Sequence, residues 1–182
     1  GKSTFLQTMI SSLFMRYSPD KLNVYIADFS NKSLGCFEHA PQIGGIVTEE
    51  DQDRIRKLIY LMNKTIALRK RILAGVNYNS YIRSGKDGLP AIIFVIDNYS
   101  GFREYTSDSY VDDIVKILHD GPAYGIYSVI TGNSYGSNDI PGRVEDNIAT
   151  GIALLMNDKY QYPAILRTGR IDIEPENLKG RG

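Results

Sequence analysis

The sequence predicts an α/β fold built on a parallel sheet. Three observations carry that expectation. Gly1-Lys2-Ser3-Thr4 runs directly into a segment of helical spacing. Ala91 to Ile96 is an unbroken apolar run closed by Asp97, and continuous rather than alternating hydrophobicity marks a strand buried on both faces. Strand-like and helix-like segments then alternate along the chain, as they do around parallel sheets.

Each element has its own signal. Phe5, Leu6, Met9, Ile10, Leu13 and Phe14 recur at helical spacing, which predicts a first helix from Ser3 to Tyr17, stopped by Ser18-Pro19-Asp20. Leu22 to Ala27 reads as a strand ending at Asp28, followed by a loop with Gly35, Pro41, Gly44 and Gly45. Thr48 with Asp51 three residues on is a relative of the capping box and predicts a helix start. That helix extends to about Ala74, with Ile55, Leu58, Ile59, Met62, Ile66 and Leu73 on its apolar side, and Gly75 ends it. Its basic residues (Arg54, Arg56, Lys57, Lys64, Arg69, Lys70, Arg71) read as a solvated face, weighted toward the end that suits the helix dipole. Val111, Ile114, Val115, Ile117 and Leu118 mark a short helix, and Tyr127 to Ile130 a further strand. Gly151 to Met156 and Ala164 to Leu166 are two more apolar segments. Ligands of parallel sheets bind at the carboxyl ends of the strands, where Asp28, Asp97 and Thr131-Gly132-Asn133 fall.

Composition narrows the function. The 182 residues are 42% hydrophobic and 23% charged, as expected of one globular domain, 1–182. No run of about 18 apolar residues is present, so no segment reads as a membrane span. A lone Cys36 excludes an internal disulfide and a Cys-based zinc site and fits a reducing compartment. Cys36 reads as a small buried or half-buried residue, His39 and His119 as structural, and Arg143 as a surface charge. Lys plus Arg and Asp plus Glu are 21 each, without the basic excess usual in proteins that grip nucleic acid. The 13 tyrosines, many in stretches read as loops (Tyr78, Tyr81, Tyr99, Tyr105, Tyr135, Tyr160, Tyr162), either pack over those loops or form a protein-contact surface.

Gly1-Lys2-Ser3-Thr4 is the back half of a P-loop, in which backbone amides and a helix N-terminus hold phosphates, the lysine reaches the β- and γ-phosphates and the hydroxyl ligates Mg²⁺. The first glycine of the motif and the strand before it are not in the sequence, so an upstream strand is expected from a longer chain. Without it the sheet is expected to hold a gap lined with unpaired backbone groups. Asp97, at the end of a buried strand, stands as a Walker B aspartate holding Mg²⁺. The candidate nucleotide-binding residues are Gly1, Lys2, Ser3, Thr4, Asp97 and Asn133, with Ser3 and Asp97 on the metal and ATP with Mg²⁺ as the ligands. Many P-loop ATPases of the RecA type follow that aspartate with a glutamate that activates water. Here Asn98 follows, and losing a general base costs about 10²–10⁴-fold in rate. Glu104 is the nearest substitute in sequence. Asp28 either senses the γ-phosphate or stabilises its loop.

Across nearly its whole length the chain resembles the FtsK/SpoIIIE family of ring-forming motor ATPases. The resemblance rests on Gly1-Lys2-Ser3-Thr4, Ile26-Ala27-Asp28-Phe29-Ser30-Asn31-Lys32, His39-Ala40-Pro41, Arg69-Lys70-Arg71 with Val76-Asn77-Tyr78-Asn79-Ser80-Tyr81, and Leu89-Pro90 before the Walker B strand. Tyr124 to Asn133 resembles the family's sensor strand, Asp146 to Ala153 its next strand, and Gly180-Arg181-Gly182 its terminal loop. The resemblance implies a three-layer, RecA-like P-loop NTPase fold whose first strand lies upstream. Three departures stand out: Asn98, Asn133 near the usual sensor glutamine, and Gly151 where DNA-pumping members carry arginine after threonine. An arginine finger contributes about 10³–10⁵-fold. With Asp97-Asn98-Tyr99 at Walker B, the chain most resembles a degenerate C-terminal ATPase module of the EssC/EccC type.

That resemblance implies a module of a membrane-anchored type VII secretion ATPase, at the cytoplasmic face of the membrane. It would bind ATP and hydrolyse it weakly or not at all. Its implied partners are neighbouring ATPase domains of the same chain, further copies in a hexameric ring, and secreted WXG100-type substrates. An active FtsK/SpoIIIE-type DNA translocase is the alternative, requiring a catalytic carboxylate and a basic channel. A third reading makes the chain a non-nucleotide α/β interaction domain in which Gly1-Lys2-Ser3-Thr4 only starts a helix.

Overall fold

The computed structural model describes residues 1–136, 139–156, 158 and 160–169. Its elements in chain order are α1 (Lys2–Arg16), β1 (Leu22–Asp28), a 3₁₀ turn (Ser33–Phe37), β2 (Ile43–Val47), α2 (Gln52–Leu73), α3 (Tyr78–Arg83), β3 (Ala91–Asp97), α4 (Tyr99–Thr106), α5 (Val111–Asp120), a second 3₁₀ turn (Gly121–Tyr124), β4 (Ile126–Ile130), α6 (Gly142–Glu145) and α7 (Gln161–Leu166). The sheet has four strands in the order β2-β1-β3-β4, and every pairing is parallel. Hydrophobic side chains fill both of its faces. Leu6 and Ile10 of α1 meet Val24, Ile26 and Val95 on one side. Ile55, Leu58, Met62 and Ile66 of α2 and Ile114 and Ile117 of α5 meet Phe94, Ile96 and Ile126 on the other. This is the expected three-layer α/β arrangement. Among the described residues no helix is long and apolar enough to cross a membrane.

The structure departs from the sequence expectations in several places. No gap interrupts the sheet: β1 pairs along its length with β3, and β3 with β4. The edge of β4 away from β3 has no partner strand among the described residues. The loop expected around Gly44 and Gly45 contains β2. Its glycines suit a strand because the Tyr25 ring of β1 lies over Gly44, so close that a Cβ there would stand 2.2 Å from Cζ of the ring. The second helix starts at Gln52 rather than near Thr48, because Asp51 is its cap: the Asp51 carboxylate accepts from the Arg54 amide at 3.0 Å.

Gly151 to Met156 forms no strand, and Ala164 to Leu166 lies in α7. The Met156 amide donates to the Tyr162 hydroxyl instead of to a neighbouring strand. Tyr78, Tyr81, Tyr99, Tyr105 and Tyr162 sit in helices rather than loops. Two of them staple the segment before β3: the Tyr78 hydroxyl donates to the Leu89 carbonyl at 2.9 Å and the Tyr81 hydroxyl to the Asp87 carbonyl at 3.0 Å. Cys36 is exposed rather than buried. The Gly180-Arg181-Gly182 resemblance lies outside the described residues.

One buried cation fixes the layers to each other. Arg69 of α2 is 4% exposed and makes no ion pair among the described residues. Its guanidinium donates to the carbonyls of Tyr124 (2.8 Å), Gly125 (3.3 Å) and Pro90 (2.5 Å), the residues that lead into β4 and β3. The Tyr78 ring lies 5.7 Å from it. Removing the guanidinium strands the part-buried carbonyls of Tyr124 and Pro90, each costing about 1–3 kcal/mol, while that of Gly125 keeps the Ile92 amide. Arg69→Met is therefore expected to lower the unfolding free energy by about 3 kcal/mol or more in urea titration, with Arg69→Lys intermediate because one ammonium cannot span both strand entries.

Candidate nucleotide-binding site

The carboxyl ends of β1, β3 and β4 converge. Asp28 and Asp97 are register partners at the ends of β1 and β3, and Thr131 follows β4 directly. Both aspartates are buried, at 2% and 1% exposure, and their hydrogen bonds separate their roles. Asp28 spends its oxygens on its own loop, accepting from the amides of Ser30 (3.1 Å) and Leu34 (3.2 Å). Of its two possible roles, these contacts support loop stabilisation. Asp97 accepts on Oδ1 from the Thr131 hydroxyl at 2.5 Å, while its Oδ2 is buried with no partner among the described residues. Burial raises the Asp97 pKa above the usual carboxylate range, and the neighbouring charge of Asp28 raises it further. The Thr131 hydrogen bond and the Lys2 cation oppose the shift.

Lys2, at the start of α1, donates from Nζ to Oδ1 of Asn133 at 2.7 Å, so the helix start and the segment after β4 meet. No side chain caps the amides that open α1 behind Gly1, and Gly1 itself lies against Leu154 of the segment once expected to be a strand. Ser3 and Thr4 are in the first turn of α1, where the Thr4 carbonyl accepts from the Thr8 hydroxyl at 2.9 Å. Lys2, Asp97 and Asn133 thus gather at one end of the sheet.

These residues suit a Mg²⁺-nucleotide. An unpartnered buried carboxylate oxygen is an acceptor awaiting a donor or a cation, and Lys2 supplies a phosphate-directed charge beside it. The described residues contain no cluster of three or more His, Cys, Asp or Glu able to hold a metal alone. A magnesium ion at Asp97 would depend on Ser3, water and phosphate oxygens for its remaining ligands, as such ions usually do.

Asn98 does not aim at that site. It sits in the left-handed region (φ 65°) and caps α4, with Oδ1 accepting from the Gly101 amide at 3.4 Å and Nδ2 donating to the Phe29 carbonyl at 2.8 Å. The side chain ties the end of β3 to the end of β1. The Asn98 backbone N–H donates to the Thr131 hydroxyl at 3.0 Å, which closes the third strand end into the same knot. Glu104 is exposed near the far end of α4, more than a turn beyond Asn98, where it does not replace a base. Gly151 is equally committed: a Cβ there would stand 2.0 Å from the Ile165 carbonyl oxygen, so no arginine fits. Arg143 is an exposed partner of Asp112. His119 pairs with Asp120 at the end of α5, and His39 is exposed.

Sequence reasoning missed one polar centre. Asp139 accepts from the hydroxyls of Ser100 (3.2 Å) and Ser134 (2.7 Å), and its carbonyl from Arg103 at 3.2 Å. It fastens the segment carrying Asn133 to α4. Only the serines' proximity to strand ends hinted at this, since the contact joins positions distant in sequence.

The raised Asp97 pKa has a definite sign in stability. The unfolded chain ionises this carboxyl first as pH rises, so the folded state binds the extra proton in the window between the two pKa values. Stability falls across that window, and the penalty persists at neutral pH. Asp97→Asn is expected to raise the melting temperature at pH 7 in metal- and nucleotide-free buffer and to flatten its decline above pH ~4. A lower melting temperature for the variant throughout that range would contradict this assignment.

Comparison with known proteins places the chain. The profile of the FtsK/SpoIIIE family matches residues 1–170. The chain is similar to the type VII secretion system protein EssC of Staphylococcus aureus, at 26% identity over 185 residues, covering all of this chain and 12% of that protein. It therefore spans about an eighth of that relative's length. Among solved structures it resembles EssC (ATPases 2 and 3) from Geobacillus thermodenitrificans, with a TM-score of 0.88, 24% identity, and coverage of 100% of this chain and 34% of the other. It also resembles Thermomonospora curvata EccC (ATPases 2 and 3) in complex with a signal sequence peptide, with a TM-score of 0.80 and 27% identity over 89% of this chain and 30% of the other. With its carboxyl-end site on a parallel sheet and a family match spanning nearly every residue, the chain belongs to the FtsK/SpoIIIE family.

Proposed function

We propose that this chain is an ATP-binding module of a type VII secretion ATPase, holding Mg²⁺-ATP and hydrolysing it poorly. The observation that carries the reading is the placement of Asn98. In active relatives of the RecA type the residue after the Walker B aspartate must take a proton from water. Here an amide that cannot do so is engaged on both ends as a cap and a strand tie. In the proposed bound state Lys2 leaves Asn133 for the phosphates, and Ser3 with Asp97 holds the metal. Bound Mg²⁺ would offset the phosphate charge next to the Asp97 carboxylate. Glycine at position 151 fits the same reading, because the site cannot accept an arginine finger there.

The module would work with neighbouring ATPase domains of one chain, in a ring, on the cytoplasmic side of a membrane reached through other parts of the protein. The substrates proposed are secreted proteins of the WXG100 type. A solved relative carries a signal sequence peptide, and this fold offers a groove for one. The groove, about 620 Å³, lies at the amino ends of the strands, opposite Asp97. Leu13 and Tyr17 of α1, Ile82 of α3, and Ile93 and Tyr127 of the sheet line it, with the Lys21–Asp87 ion pair (2.5 Å) near its mouth.

Two measurements on the intact protein test these readings. ATP binding by calorimetry is expected to be tight in the presence of Mg²⁺ and to fall at least about tenfold in Lys2→Ala, with negligible turnover. Asn98→Glu is expected to leave turnover negligible and to lower stability by about 1–3 kcal/mol, since it removes a cap and strands the Phe29 carbonyl. Robust turnover by the unmodified protein, or salt-sensitive duplex DNA binding, would instead favour an active translocase. For the groove, a fluorescent signal-sequence peptide of a secreted substrate is expected to bind, and Ile82→Glu on its lining to weaken it at least about tenfold. Unchanged affinity in that variant would remove the groove from the reading.

A further inference from the structure

Helix α2 carries a second apolar face that the fold does not use. Its broad inner arc, with Ile55, Met62 and Ile66, is buried against the sheet and α5. On the solvent side Leu61 is 37%, Leu68 46% and Ile72 48% exposed. Thr65 lies between them, its hydroxyl satisfied by the Leu61 carbonyl at 2.8 Å. The steps from Leu61 to Thr65, Leu68 and Ile72 alternate four, three and four residues, which is the seam spacing of a coiled coil.

The edge of this seam is charged in register. Lys57, Lys64 and Arg71 recur every seven residues, all exposed, on the flank where coiled coils place the charges that choose a partner. None of the three has an ion-pair partner among the described residues, whereas Arg54 and Arg56 on the same helix are paired with Asp51 and Asp53. Lys64 rests 5.7 Å from the centre of the exposed Tyr60 ring. The other flank is formed by Met62 and Arg69, which are buried in the fold.

We infer that this face docks an amphipathic helix with acidic flanks, supplied by a partner protein. About 24 Å of α2, from Lys57 to Ile72, would be covered. The partner's apolar side chains meet Leu61, Leu68 and Ile72, and its carboxylates meet Lys57, Lys64 and Arg71. A second copy of α2 is a poor occupant. Antiparallel pairing sets the two basic edges against each other, and parallel pairing sets each against the buried Met62–Arg69 flank. A bilayer is a poor occupant as well, because the wide apolar arc faces inward and only a narrow stripe remains. The inference stands apart from the nucleotide reading, since it uses none of the residues at the strand ends.

The test uses two designed helical peptides of about three heptads, with leucine at the inward positions and either glutamate or lysine on the flanks. Fluorescence anisotropy with the unmodified protein is expected to show binding of the glutamate peptide only, weakening at least about tenfold between low and high salt. The exposed triple variant Lys57→Glu/Lys64→Glu/Arg71→Glu is expected to reverse the preference, and Leu68→Asp to abolish binding of the glutamate peptide. The charge reversal carries the test even if Leu68→Asp fails to fold. Equal binding of both peptides, binding of neither, or an unchanged preference in the triple variant overturns the inference. So does a Leu68-dependent dimer in sedimentation, which assigns the face to a second copy. Binding to phosphatidylserine vesicles that the glutamate peptide does not displace assigns it to a membrane and overturns it too.

Discussion

The buried carboxylate of Asp97 is the constraint around which this domain is organised. A charge at the end of a strand that is apolar on both sides is costly unless its lone pairs are used, and among the described residues only Oδ1 is used, by Thr131. That requirement places Thr131 directly after β4 and holds the three strand ends together. Phe29 N donates to the Asp97 carbonyl, Thr131 N to that of Ile96 and Tyr99 N to that of Thr131, at 2.8–3.0 Å. The second oxygen has no partner among the described residues, and the Lys2 cation opposes the rise in the pKa. A stability optimum would fill or neutralise that oxygen, and natural proteins retain such costs where a ligand repays them.

The departures at Asn98 and Gly151 follow from the same packing. A glutamate in place of Asn98 would need to leave the left-handed cap and turn toward the ligand side, yet the side chain there is also the link between β3 and Phe29. Gly101 matches it, since a Cβ at that position would stand 2.5 Å from Nδ2 of Asn98. Gly151 gives up its side-chain volume to the carbonyl of Ile165. Both positions have structural duties incompatible with the catalytic residue types. On the proposed reading, a single substitution at position 98 would therefore not restore a base, because the cap and the strand tie would be lost with the asparagine.

The sequence disclosed the skeleton through elements whose local and tertiary preferences agree. α1, β1, α2, β3 and β4 show clear periodicity or continuous hydrophobicity and lie within a few residues of expectation. β2 was illegible because its glycines are compensated by Tyr25, which lies on another strand. The short helices α3 and α4 were hidden by tyrosines whose partners are distant in sequence: Tyr78 lies against Gly125, and Tyr105 of α4 against Phe29. In the candidate site, Lys2, Asp97 and Asn133 were visible because motif and strand-end position coincide. The role of Asp139 was not, because its partners come from α4 and from the segment after β4. Segment 151–156 misled because apolar composition specifies neither a ladder nor burial: it pairs with no strand among the described residues, and Ile152 and Leu155 are exposed.

Helix α2 joins these ideas, because one helix serves the core, the strand entries and a surface through three separate stripes. Its inner arc fills the layer against β3 and α5. Arg69, at the border of that arc, reaches the carbonyls preceding β3 and β4 and so fixes the amino end of the sheet whose carboxyl end holds Asp97. Its outer stripe contributes nothing to either task, yet it keeps a regular apolar spacing and an unneutralised basic edge in a chain whose charges sum to zero. Solvent exposure of Leu61, Leu68 and Ile72 adds little to the stability of the free domain, and the three exposed cations, about 10 Å apart along the helix, have no ion-pair partner among the described residues. A surface that serves no part of the isolated fold and is periodic in both hydrophobicity and charge is explained most simply by a helix that covers it.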